Sequence, residues 1–199
     1  QGAGLTTWNI GYPDSDQGNQ NNADFSFKDS KTITFQNMTL KAGPFYNYQG
    51  FAHTDTTVVE NCVVEGMTVY WGYNSATFKD TTFKTYGYQY ALWTYCSKDT
   101  IFDHCKFVCA GKAIYVYNEG NPLIKIHFKD CEVTDSGVKS ALNVNDTFAN
   151  FKIYISGDNK VSAHRDTNTC SMVYGFASNN GKTEVYYGEE NENPELVWG

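Results

Sequence analysis

Short stretches of alternating apolar and polar residues recur along the chain, and no stretch keeps the three-to-four-residue apolar spacing of a surface helix. One six-residue pattern returns: apolar, any, small polar, small or soft, any, apolar. It reads Phe35-Gln36-Asn37-Met38-Thr39-Leu40, then Val59-Glu60-Asn61-Cys62-Val63-Val64 and Phe78-Lys79-Asp80-Thr81-Thr82-Phe83. It continues as Phe102-Asp103-His104-Cys105-Lys106-Phe107 and Phe128-Lys129-Asp130-Cys131-Glu132-Val133, with a weaker sixth copy from Ile155 through Gly157 to Val161. The first five copies are spaced by 24, 19, 24 and 26 residues. A glycine follows each of the five (Gly43, Gly66, Gly87, Gly111, Gly137), and a second alternating run follows each glycine.

Two correlated features at one period define a structural repeat. A turn of about two dozen residues cannot bury its own apolar side chains, but turns stacked about 4.8 Å apart bury them against one another and pair their backbones in parallel sheets. The pattern therefore predicts an all-β fold: a right-handed, single-stranded parallel β-helix (solenoid) of about six to seven coils. Alternation fixes the phase. Phe35 points inward, the next two residues turn a corner at which Asn or Asp can bond its own backbone, Met38 and Leu40 point inward, and Thr39 points outward. The chain divides as one domain over 1–199. Residues 1–24 form an irregular N-terminal lead-in or cap, 25–165 the regular coils, and 166–199 the last coil and C-terminal cap, with Leu196-Val197-Trp198 covering the end.

The pattern of Ile33-Thr34-Phe35-Gln36-Asn37-Met38-Thr39-Leu40 and its copies, over residues 23–165, resembles the right-handed parallel β-helix of the pectin-lyase-like superfamily. It is most similar to the repeat regions of large bacterial cell-surface proteins. The resemblance implies a fold shared by enzymes, adhesins and phage tail proteins. The catalytic signatures of its enzymes, namely the arginine base with calcium-holding aspartates of pectate lyases, the polygalacturonase motifs and the paired Gln and Asp motifs of pectin methylesterases, are absent from this sequence.

Composition narrows the function. Charged residues make up 19% and aromatic residues 16%, with Tyr at 15 and Pro at only 4, a balance that suits strands and tight corners. The net charge is −7 and Arg165 is the one arginine, so neither nucleic acid nor an anionic membrane is an expected partner. No apolar run is long enough for membrane insertion as a helix. The chain starts at Gln1 without a visible signal peptide, which reads as a mature form or an excised piece of a secreted protein. The six cysteines contain no CxxC pair, and no metal or other cofactor is expected. Cys62, Cys105 and Cys131 share one inward position with Met38 and Thr81, which reads as a buried stack of small soft side chains. A disulfide between Cys105 and Cys131 is the alternative, although in-register side chains on parallel strands point alongside each other. Cys96, Cys109 and Cys170 have no assigned partner.

Few residues invite catalysis. His104 and Asp130 occupy the corner position held elsewhere by Asn37, Asn61 and Asp80, so a corner ladder is the first reading. His127 lies beside inward Phe128 and is expected to face out. The weak catalytic candidates are His53 with Asp55, a polar pair at the end of an aromatic strand, and Asp146. Asp14-Ser15-Asp16 and Glu189–Glu195 lack the spacing of a calcium loop and read as a solvated loop and a solvated tail. The stronger lead is aromatic. In the strands after each glycine, Phe45, Val69, Leu92, Ile114 and Leu142 fall inward. Tyr46, Tyr70, Trp93 and Tyr115 form one outward file, and Tyr48, Tyr95 and Tyr117 a second. Flat rings with polar tips suit sugar faces, a partner protein domain could equally cover them, and a bare supporting ladder of rings is the structural alternative. The expected function is a non-catalytic secreted or cell-surface module that binds a polysaccharide or partner domain through this face. The competing class is a polysaccharide lyase or glycoside hydrolase.

Overall fold

In the computed structural model the described residues are 6–9, 31–41, 55–65, 74–85, 90–95, 98–109, 112–117, 123–134, 140–144, 150–162, 171–173 and 183–198. Their regular structure is all β, and it falls into three sheets. Sheet 1 takes, in chain order, Thr32–Gln36, Thr56–Glu60, Ser75–Lys79, Asp99–Asp103, Leu123–Lys129, Asn150–Ser156 and Thr183–Tyr187, all parallel, and ends on the antiparallel strand Glu195–Trp198. Sheet 2 takes Thr7–Asn9, Thr39–Lys41, Val63–Glu65, Thr82–Thr85, Lys106–Cys109, Glu132–Thr134 and Lys160–Ser162, all parallel. Sheet 3 takes Tyr90–Tyr95, Lys112–Tyr117, Ser140–Val144 and Ser171–Val173, also parallel. From Ser75 to Val173 the chain visits sheets 1, 2 and 3 in that order, four times over.

The recurring six residues supply the last inward position of each sheet 1 strand, the corner, and the sheet 2 strand. Register aligns their first members in one column: Phe35, Val59, Phe78, Phe102 and Phe128, continued by Ile155 and Tyr187. A second column in sheet 2 runs Trp8, Leu40, Val64, Phe83, Phe107, Val133 and Val161. The phenylalanines stack along each column, with centroids 5.2 Å apart for Phe78–Phe102 and for Phe102–Phe128 and 5.0 Å for Phe83–Phe107. Between columns they meet edge to face, as Phe78–Phe83 at 5.1 Å. The spacing of stacked rings is thus set by the spacing of strands. Phe78, Phe83, Phe102, Phe107 and Phe128 have no exposed surface, so this interior is the core.

The corner works through backbone geometry. Asn37, Asn61, Asp80, His104 and Asp130 all have φ between 48° and 57°, a left-handed conformation that Asn, Asp and His adopt more readily than other side-chain-bearing residues. Each corner N–H donates to the carbonyl of the next repeat, as Asn61 N to Lys79 O at 3.0 Å and His104 N to Lys129 O at 2.9 Å. Three of the polar side chains bond between repeats: Asn61 Nδ2 donates to Asn37 Oδ1 at 2.6 Å, and Asp158 N donates to Asp130 Oδ1 at 2.7 Å. The sixth copy is weak because it carries one residue more. Lys160 rather than residue 159 lies opposite Glu132, and Gly157 takes the corner at φ 73°. A Cβ on Gly157 would lie 2.2 Å from Asp130 Oδ1, which explains the glycine.

One more sequence reading changes here. Thr39 is buried, although alternation places it on the outward file with Val63 and Thr82.

Candidate functional site

The cysteine column performs a specific task. Cys62 Sγ donates to Phe35 O at 3.5 Å, Cys105 Sγ to Phe78 O at 3.3 Å and Cys131 Sγ to Phe102 O at 3.4 Å. Thr81 Oγ1 does the same for Val59 O at 3.3 Å. Each side chain also lies within bonding distance of the carbonyl two residues before it, as Thr81 to Lys79 O at 2.9 Å. The position therefore calls for a small buried donor that satisfies a carbonyl beside the corner. The three thiols are free, so Cys105 and Cys131 are not joined. Burial pushes the Cys62 and Cys105 thiols above their ordinary value, which keeps them protonated donors. These are structural cysteines.

The expected site residues fall into three groups. Tyr46, Tyr48, Tyr70, His53 and Asp146 lie outside the described residues. Asp55 is exposed just before the strand Thr56–Glu60; its side chain accepts from Asn74 Nδ2 and its carbonyl from Asn74 N at 3.0 Å, so it joins neighbouring repeats at a turn. Trp93, Tyr95, Tyr115 and Tyr117 lie in sheet 3, where register sets Trp93 opposite Tyr115 and Tyr95 opposite Tyr117. Leu92 and Leu142 both lie opposite Ile114, and Asn143 lies opposite Tyr115. The backbone thus brings the four aromatic positions to adjacent places on two neighbouring strands.

His104 stands at the corner, with Nδ1 2.6 Å from Asp103 Oδ1 and Nε2 3.7 Å from Asp130 Oδ2. It bridges acidic groups of its own repeat and the next, as its place in the repeat predicts. Among the described residues, no three His, Cys, Asp or Glu side chains are placed to hold a metal ion, and no helix is long and apolar enough to cross a membrane.

A second cluster lies on the outer face of sheet 1. His127 stacks on Tyr154 at 4.9 Å, and Tyr154 on Tyr186 at 5.2 Å. His127 Nε2 is 3.1 Å from Asp99 Oδ1 and 4.0 Å from Glu190 Oε2. Lys125 Nζ pairs with Glu190 Oε1, and Lys129 Nζ with Glu189 Oε1 at 2.6 Å. The ion pair with Glu190 raises the affinity of Lys125 for its proton, and Glu189 does the same for Lys129. Burial raises the Tyr154 phenol. The turn after Tyr187 carries both glutamates onto this face: Gly188 N donates to Ile155 O at 2.9 Å, and Glu192 N to Glu189 O at 3.0 Å. Glu189 and Glu190 are therefore fixed to the sheet, which corrects their reading as part of a solvated tail. Likewise Glu195–Trp198 is a strand on the edge of sheet 1. The sequence signal for this cluster was the alternation Lys125, His127, Lys129 on one strand face. Nothing local to 189–190 gives its partner.

Comparison with known proteins gives no matching family model, no matching curated protein and no matching solved structure.

Proposed function

We propose that the chain is a right-handed parallel β-helix of the pectin-lyase-like kind and serves as a non-catalytic, secreted or cell-surface module that binds glycan on the outer face of sheet 3. The repeated passage through three parallel sheets supports the architecture, and parallel strands joined within one sheet connect with a right-handed sense in nearly all known cases. The observation that carries the binding reading is the register of Trp93 with Tyr115 and of Tyr95 with Tyr117. Strand alternation puts residues two apart on one face, so the four positions share a face with spacings close to those of strands and alternate residues. Aromatic residues at positions with that spacing suit the apolar faces of successive sugars. The corner histidine, the buried thiols and Asp55 all bond within the fold, which favours recognition over acid–base work.

A glycan array read with the intact chain and with a Trp93→Ala/Tyr115→Ala variant tests this. The intact chain should retain at least one glycan, and the variant should bind it about tenfold or more weakly while keeping its β circular dichroism. Retention of no glycan, or equal retention by both proteins, would remove the proposal.

A further inference from the structure

The outer face of sheet 1 changes character along its length. Over its first three strands the outward positions are mixed, with Thr32, Thr34, Thr56, Ser75 and Thr77 beside Gln36, Val58, Glu60 and Lys79. At Leu123–Lys129 they become basic: Lys125, His127 and Lys129, with Lys152 set opposite Lys125 on the next strand. Acidic groups trim this patch at its rim. Asp99 lies 3.1 Å from His127 Nε2, Glu184 lies 3.4 Å from Lys152 Nζ, and Asp103 acts on Lys129. Glu189 and Glu190 occupy the remainder, one on Lys129 at 2.6 Å and the other on Lys125.

We infer that the Lys125–Lys129 row is a docking site for an acidic peptide segment of another protein, and that residues 188–194 of this chain fill it as a stand-in. Charge complementarity carries the inference. In a chain of net charge −7, a run of basic side chains is gathered on one face and met by the segment Gly188-Glu189-Glu190-Asn191-Glu192-Asn193-Pro194. The two anchoring lysines are four residues apart on one strand, about 13 Å, and adjacent glutamates reach both only by spreading their side chains. An extended peptide with acidic residues at alternate positions would meet Lys125, His127 and Lys129 directly. The backbone of the segment is held by Gly188 N on Ile155 O and by the paired strands on either side, but its two glutamate side chains are displaceable. All four partners of its two ion pairs keep about a third to a half of their side-chain surface exposed, and such pairs contribute little to stability and are screened by salt. An acidic partner therefore competes against two weakly paired, though locally concentrated, glutamate side chains.

The test uses the full chain and a fluorescent peptide with the sequence of residues 188–194. At low ionic strength the peptide should bind a Glu189→Gln/Glu190→Gln variant about tenfold or more tightly than the unaltered chain. Adding Lys125→Ala/Lys129→Ala should abolish that binding, and high salt should weaken it. A control peptide with Gln in place of each Glu should not bind, a comparison that holds even if the lysine variant folds poorly. Equal binding by the unaltered chain and the glutamine variant, equal binding of the control peptide, or no binding by a folded glutamine variant would overturn the inference.

Discussion

Five residues at one repeat position, Asn37, Asn61, Asp80, His104 and Asp130, hold φ near 50° between a sheet 1 strand and a sheet 2 strand. The left-handed region carries a cost of roughly 1–2 kcal/mol for most side chains, and short polar ones offset part of it by local bonding. That cost is accepted because the corner must redirect the chain from sheet 1 into sheet 2 within two residues. The next position is constrained by a carbonyl. Cys62, Thr81, Cys105 and Cys131 each donate to the sheet 1 carbonyl of the preceding repeat. Met38, in the earliest copy, has no earlier sheet 1 strand beside it among the described residues, and so no carbonyl of this kind to satisfy. The presence of Thr81 in the same file makes the requirement testable. Cys105→Thr should leave stability nearly unchanged. Cys105→Ala should cost about 1–3 kcal/mol, because Phe78 O loses its side-chain donor and a small void opens. Urea denaturation of these two variants and of Cys105→Val, which has threonine's shape without its donor, separates a donor role from simple filling of space, which would leave valine as stable as threonine.

At the scale of strands and sheets, what the sequence made legible was whatever depends on period. Alternation identifies the inward columns, and the step of about two dozen residues identifies their stacking, so the sequence alone brings Phe35, Phe78, Phe102 and Phe128 together, as the register does. Contacts without a period were not legible. Glu189 and Glu190 look like any charged turn, and their partners Lys129 and Lys125 are about sixty residues away. The aromatic row His127, Tyr154, Tyr186 was hidden because its members come from strands whose repeats lengthen toward the C-terminus. This last part of sheet 1 carries a pH signature. The Tyr186 hydroxyl donates to Glu184 Oε2 at 2.6 Å, and together with Lys152 it holds the Glu184 carboxyl below its usual range. A carboxyl held low in the folded state adds stability that is present above its ordinary value and is lost as pH falls through the folded value. Thermal melts as a function of pH should therefore show a shallower acid limb for Glu184→Gln than for the unaltered chain. An identical acid limb would show that the bond contributes nothing to folding.

For the whole molecule, sheets 1 and 2 share one interior of stacked rings, sheet 3 follows them in each repeat from Ser75 to Val173, and the surface divides by sheet. Sheet 2 carries ion pairs between repeats outward, such as Lys106 with Glu132 at 3.2 Å. Sheet 1 ends in a basic patch met by two glutamates, and sheet 3 brings four aromatic positions together. In-register stacking is the premise from which each of these surfaces follows. The most direct measurement places spin labels, attached through non-cysteine chemistry, in pairs along one outward file of sheet 1: Thr32 with Ser75, with Lys125 and with Lys152. Register puts these partners two, four and five strands away from Thr32. Pulsed electron–electron distances should then rise in proportion to the number of strands crossed, to about 10, 19 and 24 Å between backbones. Distances that fail to increase in that order, or that scatter without a common step, would contradict the stacked arrangement.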